Sequence, residues 1–358
     1  MVVFPLSHIS KSQNEEEGMK VLVISSNPTF GGATTANLKI AETIATLGNE
    51  VVFNDEFFEG ELKTTVGIKR IRFHWHSHPS HKQIRKEVFT GNYDIMIWGL
   101  TVLIPFYMFD IIRFHRRGIK QVALFHSLSF KSTSVSNVLE WLLSKVVKIF
   151  DALVFVSQYT KKSWSKYSGI KNHKRSVVIF NPIDKPKSFT SLSSTPTMGF
   201  VGRLSEEKRP ELFMQLSSID NYQFVVYGSG DGIEKYHQKY PRVLFMGVEK
   251  DVDRIYEGID ILILTSRIEN CPMVILEAKS RGIPVIAPTV GGISEIVKDG
   301  EDGLLFSEFS VEKIKSMIDS ILNNYTFYSS NCVENSRSFF KEEIAKDWSQ
   351  LFDSIKIR

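Results

Sequence analysis

Twelve short apolar runs recur along the chain, and between them lie segments in which apolar residues keep helical spacing. Residues 21–25 form the first run; Gly31 and Gly32 follow, and 36–47 then carries a helical pattern that Gly48 ends. Runs at 51–54, 93–98, 121–125, 152–156 and 177–180 continue the series. Runs at 198–201, 223–227, 243–246, 259–264, 284–287 and 303–306 repeat it. Runs that are apolar at nearly every position, rather than at every second one, suit strands buried on both faces. The expectation is therefore an α/β chain with two Rossmann-like, doubly wound parallel sheets covered by helices.

A length of 358 residues with 42% hydrophobic content suits about two such domains. Residues 188–196, rich in Ser and Thr, read as a loop beside the junction. The expected limits are a disordered leader over 1–18, a first domain over 19–182, a second over 183–338 and a terminal segment over 339–358. In that last segment Ile344, Trp348, Leu351 and Phe352 share one stripe of a helix over 339–352. The only long apolar stretch, 95–109, is broken by Gly99 and Pro105 and falls short of the ~20 residues a membrane-spanning helix needs. The leader lacks the basic start and apolar centre of a signal peptide, and Met19 is an alternative start. Cys271 and Cys332 are too few for a disulfide framework and suit a reducing, cytoplasmic setting.

The net charge of +4 conceals a division. Residues 1–180 carry 23 Lys and Arg against 14 Asp and Glu, or +9; residues 181–358 carry 21 against 26, or −5. The basic half is expected to face something acidic. Lys69, Arg70 and Arg72 flank the stretch His74-Trp-His76-Ser-His78, and so much positive charge opposes a bound cation, so no metal is expected there. Over 105–120 and 138–150, Phe106, Phe109, Trp141 and other aromatic residues are mixed with Arg113, Arg116, Arg117, Lys145 and Lys148. That mixture suits the surface of an anionic membrane. Base-reading motifs are missing, so nucleic acid is not an expected partner.

Glu269 and Glu277 stand eight positions apart after the apolar run 259–264, around a strand-to-helix turn. Pro272 suits a helix start, Glu269 falls in the loop and Glu277 in the helix, and the amides of Met273 and Val274 are placed to hold a phosphate. Gly202 ends the run 198–201, and Arg203 and Lys208 beyond it bring two positive charges to the same rim, as a diphosphate requires. Gly31 and Gly32 would let backbone approach a ligand. The glycines at 228, 230 and 232 imitate a dinucleotide fingerprint without completing it. His126 ends the run 121–125 and is expected to point into the crevice between the halves.

In their order along the chain these residues resemble the retaining family 4 glycosyltransferases of GT-B fold, of the kind that builds bacterial surface polysaccharide or lipopolysaccharide. Glu269-x7-Glu277 looks like the family's paired-glutamate signature, and Gly202-Arg203-x4-Lys208 looks like its diphosphate loop. The segments 284–297 and 299–305, and Asn181-Pro182-Ile183-Asp184 at the junction, are similar to the family's following motifs. The resemblance implies two domains facing a central cleft, with the last helix crossing back to the first domain. It implies that Glu277 binds the donor's ribose, Glu269 the transferred sugar, and Arg203 and Lys208 the diphosphate without a metal or other cofactor, while His126 approaches the sugar or acceptor. It further implies a hexose taken from a nucleoside-diphosphate sugar to a lipid-linked or lipopolysaccharide acceptor, by a protein lying on the inner face of the plasma membrane. Asn270 and Cys271 stand where the family often has a glycine-rich pair, so both are expected to crowd the sugar pocket. The alternatives on the same architecture are a non-hydrolysing nucleotide-sugar epimerase and a catalytically silent binding module.

Overall fold

The computed structural model describes residues 18–25, 32–55, 68–71, 79–99, 101–129, 134–230 and 232–355. Seven strands make a first sheet: β1 (Lys20–Ser25), β2 (Glu50–Asp55), β3 (Lys69–Ile71), β4 (Ile95–Trp98), β5 (Lys120–Phe125), β6 (Ala152–Phe155) and β7 (Ser176–Val178). Six make a second: β8 (Thr197–Val201), β9 (Gln223–Tyr227), β10 (Val243–Gly247), β11 (Ile261–Ile263), β12 (Val285–Pro288) and β13 (Gly303–Phe306). Their orders are β3-β2-β1-β4-β5-β6-β7 and β10-β9-β8-β11-β12-β13, and the pairings within both sheets are parallel. Each order reverses direction once, between β1 and β4 and between β8 and β11.

The apolar runs bury both faces, as parallel sheets with helices on either side demand. Val21 and Val23 of β1 enter one core with Leu38, Ala41 and Trp348, whereas Leu22 and Ile24 enter another with Ile84 and Phe114. In β11, Leu262 joins the first of these cores and Ile261 and Ile263 join a third with Phe200 and Phe224. One core therefore runs through both halves by way of Ile179, Ile183, Phe339 and Trp348.

The last helix, Lys341–Ile355, packs on helix Gly32–Ala45 and buries the expected stripe of Ile344, Trp348, Leu351 and Phe352. The two chain crossings between the halves lie side by side: the Ile183 amide donates to Phe339 O at 2.9 Å and the Lys341 amide to Ile183 O at 3.1 Å. Charged groups clasp them. Lys39 and Lys341 each approach the Asp184 carboxylate at 2.5 Å, and both also pair with buried Glu42.

The structure adds local detail to the sequence reading. Lys69–Ile71 is an edge strand paired with β2, a run too short and too charged to show an apolar pattern. Residues 101–107 form a 3-10 turn with Pro105 inside it, and the helix proper is only Met108–His115. The loop over 188–196 is tied down, because buried Asp260 accepts from the amides of Ser193 and Thr197 at 2.9 and 2.8 Å. The leader falls outside the described residues apart from Gly18. Among the described residues no helix is long and apolar enough to cross a membrane.

Candidate functional site

In an open parallel sheet, the crevice for a ligand lies beyond the carboxyl ends of the strands, where the strand order reverses. In the second sheet that point is between β8 and β11, and the loops leaving those two strands carry Gly202 to Lys208 and Thr265 to Pro272. The loops are stitched together. Thr265 donates to the carbonyl of Lys208 or Arg209, each at 2.9 Å, and the Arg267 amide donates to Glu207 O at 2.8 Å. The Lys208 ammonium lies 2.5 Å from Glu269 Oε1, and the Ser266 hydroxyl donates to the same oxygen at 2.7 Å. Glu269 is only 7% exposed, so this charge-assisted pair fixes its carboxylate while the second oxygen carries no such bond among the described residues. Arg203 is exposed and has no ion pair or hydrogen bond among the described residues.

Glycine at 228 serves loop contact, not a cofactor fingerprint. Its φ is +143°, and a Cβ there would lie 1.9 Å from Gly202 O. The Gly202 amide donates to Tyr227 O at 2.9 Å, so the turn after β8 rests directly on the turn after β9.

Helix Met273–Ser280 opens with Pro272 at its N-cap, one position before the expected place. The amides of Met273 and Val274 therefore belong to a first turn without intrahelical acceptors, facing the same crevice. Glu277 sits one turn into the helix, with its Oε2 at 3.0 Å from the Tyr256 hydroxyl. Burial pushes the Glu277 carboxyl above its ordinary range, against the Tyr256 hydrogen bond and the nearby Arg281 and Lys39 charges. Cys271 is 6% exposed and packs into the apolar core. Its carbonyl accepts from Asn181 Nδ2 at 2.9 Å, and burial pushes its thiol up to about 12, which leaves it protonated and inert at neutral pH.

The opposite wall belongs to the first sheet. His126 leaves the end of β5 with its Nε2 at 2.7 Å from Asn37 Oδ1, and Asn37 Nδ2 in turn donates to Ser25 Oγ at 3.0 Å. Asn37 can only accept at that oxygen, so Nε2 carries the proton and Nδ1 keeps its lone pair. Burial lowers His126 to about 4, so the ring is neutral near pH 7 and is no general acid. Asn270 reaches across and donates from Nδ2 to His126 O at 2.7 Å. Gly32 opens helix Gly32–Ala45, with open space where a side chain would stand; Gly31 lies outside the described residues.

The structure thus brings Arg203, Lys208, Glu269, Asn270, Glu277 and the amides of Met273 and Val274 to one switch point, with His126 opposite. The expected basic surface residues lie elsewhere. Arg113, Arg116, Arg117, Lys145 and Lys148 are exposed and have no carboxylate partner among the described residues. Beside them stand exposed Phe106 (59%), Phe109 (73%), Val138 (57%) and Trp141 (55%), whereas Tyr107, Phe114 and Phe150 are core. Lys69 is exposed on β3; the side chain of Arg70 and all of Arg72 lie outside the described residues. Sequence reading missed Tyr256, Ser266 and Asn37. Asn37, a polar residue inside the apolar pattern 36–47, carried a readable signal, and Ser266 sits three places before Glu269. Tyr256 had none, since it arrives from a different helix.

Two family models match the chain in tandem: Glycosyltransferase Family 4 over residues 30–185 and Glycosyl transferases group 1 over residues 184–339. A Campylobacter jejuni alpha-1,4-N-acetyl-D-galactosaminyltransferase, named for an acceptor on PP-undecaprenol, is 26% identical over 200 residues, 51% of this chain and 56% of that protein. An Escherichia coli protein, named UDP-Gal:alpha-D-GlcNAc-diphosphoundecaprenol alpha-1,3-galactosyltransferase, is 26% identical over 242 residues, 58% of this chain and 62% of that protein. The chain spans about a third to three-fifths of the length of the curated relatives it matches. Among solved structures, Anabaena HepE in complex with UDP superimposes with a TM-score of 0.77 at 18% identity, over 94% of this chain and 100% of that one.

Proposed function

The chain belongs to the family 4 glycosyltransferases of GT-B fold, and from that premise we propose that it moves a hexose from a nucleoside-diphosphate sugar to a lipid-linked or lipopolysaccharide-type acceptor. The observation that carries the reading is the switch point between β8 and β11, where two cations, two carboxylates and a helix start share one rim. In this reading Glu277, set by Tyr256, takes the ribose hydroxyls. The Met273 and Val274 amides, with Arg203 and Lys208, take the diphosphate and offset the charge that builds on it as the sugar leaves, which is work a divalent cation would otherwise do. Lys208 links that work to the sugar, because its partner Glu269 offers its second oxygen to hydroxyls of the transferred ring.

The reaction is proposed to retain the anomeric configuration. Support comes from the wall facing Glu269: burial holds His126 near 4, which makes its ring a weak base, so the acceptor proton passes to the leaving phosphate on the same face. The acceptor would enter from the first sheet's side. The relatives named for undecaprenol-linked substrates support a lipid carrier. So does the surface of Arg113, Arg116, Arg117, Lys145 and Lys148 around Phe106, Phe109 and Trp141, which suits the anionic inner face of a plasma membrane.

The test is release of nucleoside diphosphate from a panel of UDP-, GDP- and ADP-sugars in the presence of bacterial lipid extract. Turnover of at least one donor that requires the extract supports the reading. Absence of turnover and of binding for every donor overturns it.

A further inference from the structure

We propose that Glu295 is a positioning residue: it docks the loop that carries Glu269 onto the first sheet, so that closing the cleft and placing the sugar-binding carboxylate are one event. The glycosyltransferase reading supplies only the identity of the ligand.

The argument starts at helix Gln158–Trp164, which follows β6. Its N-cap, Ser157, accepts from the Thr160 amide at 3.1 Å, so the chain's own capping residue satisfies the third amide of the helix. The first two amides, Gln158 and Tyr159, are left without an acceptor from their own helix. Glu295 reaches them from the other half: Oε2 accepts from Gln158 and Oε1 from Tyr159, each at 2.7 Å. The cap of a helix in the first half is thus completed by a carboxylate of the second, with the sign that the helix start favours.

Glu295 does not move alone. It stands in the short turn of helix Ile293–Ile296, directly after Gly291 and Gly292, and the Gly292 amide donates to Glu269 O at 3.0 Å. A Cβ on Gly291, where φ is +62°, would lie 1.6 Å from Glu269 O; one on Gly292 would lie 1.9 Å from Asn270 O and 3.0 Å from Ser157 Cβ. Only hydrogen fits at either position, so the turn is wedged between the Glu269 loop and the N-cap of the first-half helix. Asn270 Nδ2 bonded to His126 O is the second docking point. Glu269 lies on the block between the two.

The latch is reversible by construction. The Glu295 bonds are at the surface, where water can replace them, and Asn270 Oδ1 is buried in the closed form without a hydrogen-bond partner among the described residues. A cap of this kind shifts a closed-to-open ratio by about five- to tenfold. Removing Glu295 therefore opens the cleft while the nucleotide contacts, which lie within the second half, stay intact.

Spin labels at Lys86→Cys and Lys313→Cys, both exposed, report the distance between the halves, and the native thiols Cys271 and Cys332 are buried from the reagent. In the unliganded full chain, Glu295→Ala is expected to move population to longer distances, with Glu295→Gln in between. An unchanged distribution overturns the proposal. Should Glu295→Ala not fold, Asn270→Gly removes the second docking point and is expected to shift the same distances. With any donor that the unsubstituted chain turns over, Glu295→Ala should lower kcat about tenfold and leave the Kd of the free nucleoside diphosphate within about twofold. Equal losses in both would mark a merely structural role and overturn it. If the unsubstituted chain turns over no donor, the functional reading fails, and the distances still decide the latch.

Discussion

The rim between β8 and β11 and the outer face of the first sheet are both rich in charge, and they treat it in opposite ways. On the rim, Lys208 is bonded to Glu269, Glu269 to Ser266 and Glu277 to Tyr256, with Arg203 the cation left exposed. On the outer face, Arg113, Arg116, Arg117, Lys145 and Lys148 stand exposed beside uncovered aromatic rings. Fixed charges select one ligand geometry. Exposed charges with no carboxylate partner attract any anionic surface and lose their hold as salt rises.

The largest effect should come from the fixed region. Lys208→Ala removes a cation proposed to hold the diphosphate and unpairs buried Glu269, and kcat/KM measured on the preferred donor is expected to fall by about 10²–10³-fold. A loss below tenfold would remove Lys208 from the leaving-group chemistry. Next comes the free region. Changing Arg113, Arg116 and Arg117 together to Glu should weaken binding to anionic vesicles at low salt by at least about 100-fold, at ~1 kcal/mol per charge, without changing donor Kd. Equal binding by both forms would displace the membrane surface from this face.

The contrast also explains what could be read from the sequence. The paired glutamates, Arg203 and Lys208 were legible because strand-end loops place residues by local spacing, and the apolar runs put those loops at a parallel sheet's carboxyl edge. Tyr256 was not, since its hydroxyl meets Glu277 only through tertiary packing. The depth of Cys271 was not legible for the same reason: the spacing put it in the right loop but could not show how far its side chain is buried. On the outer face composition alone identified the basic and aromatic mixture, and only the structure separated exposed Phe109 and Trp141 from buried Phe114 and Phe150.

A third prediction concerns the wall opposite Glu269. With His126 held near 4 and an unfolded imidazole near 6.5, the unfolded chain binds the extra proton between those values. Stability should therefore fall as pH drops from about 6.5 to about 4, by on the order of 2 kcal/mol after allowance for the ring's partial exposure. Denaturant midpoints across that range should show the slope, and His126→Asn should flatten it; identical slopes would remove His126 as the cause. The smallest effect belongs to Tyr256→Phe, which loses one hydrogen bond to Glu277. Donor Kd should rise about fivefold, equal to ~1 kcal/mol, by isothermal titration. An unchanged Kd would detach Glu277 from donor binding.

The switch point of the second sheet is proposed as a metal-independent nucleoside-diphosphate site, and the decisive measurement is calorimetric titration with UDP, GDP and ADP in excess chelator. At least one of the three is expected to bind, with Arg203→Ala and Lys208→Ala each weakening it by about tenfold or more. The assignment is contradicted if none of the three binds, or if both variants bind as tightly as the unsubstituted chain.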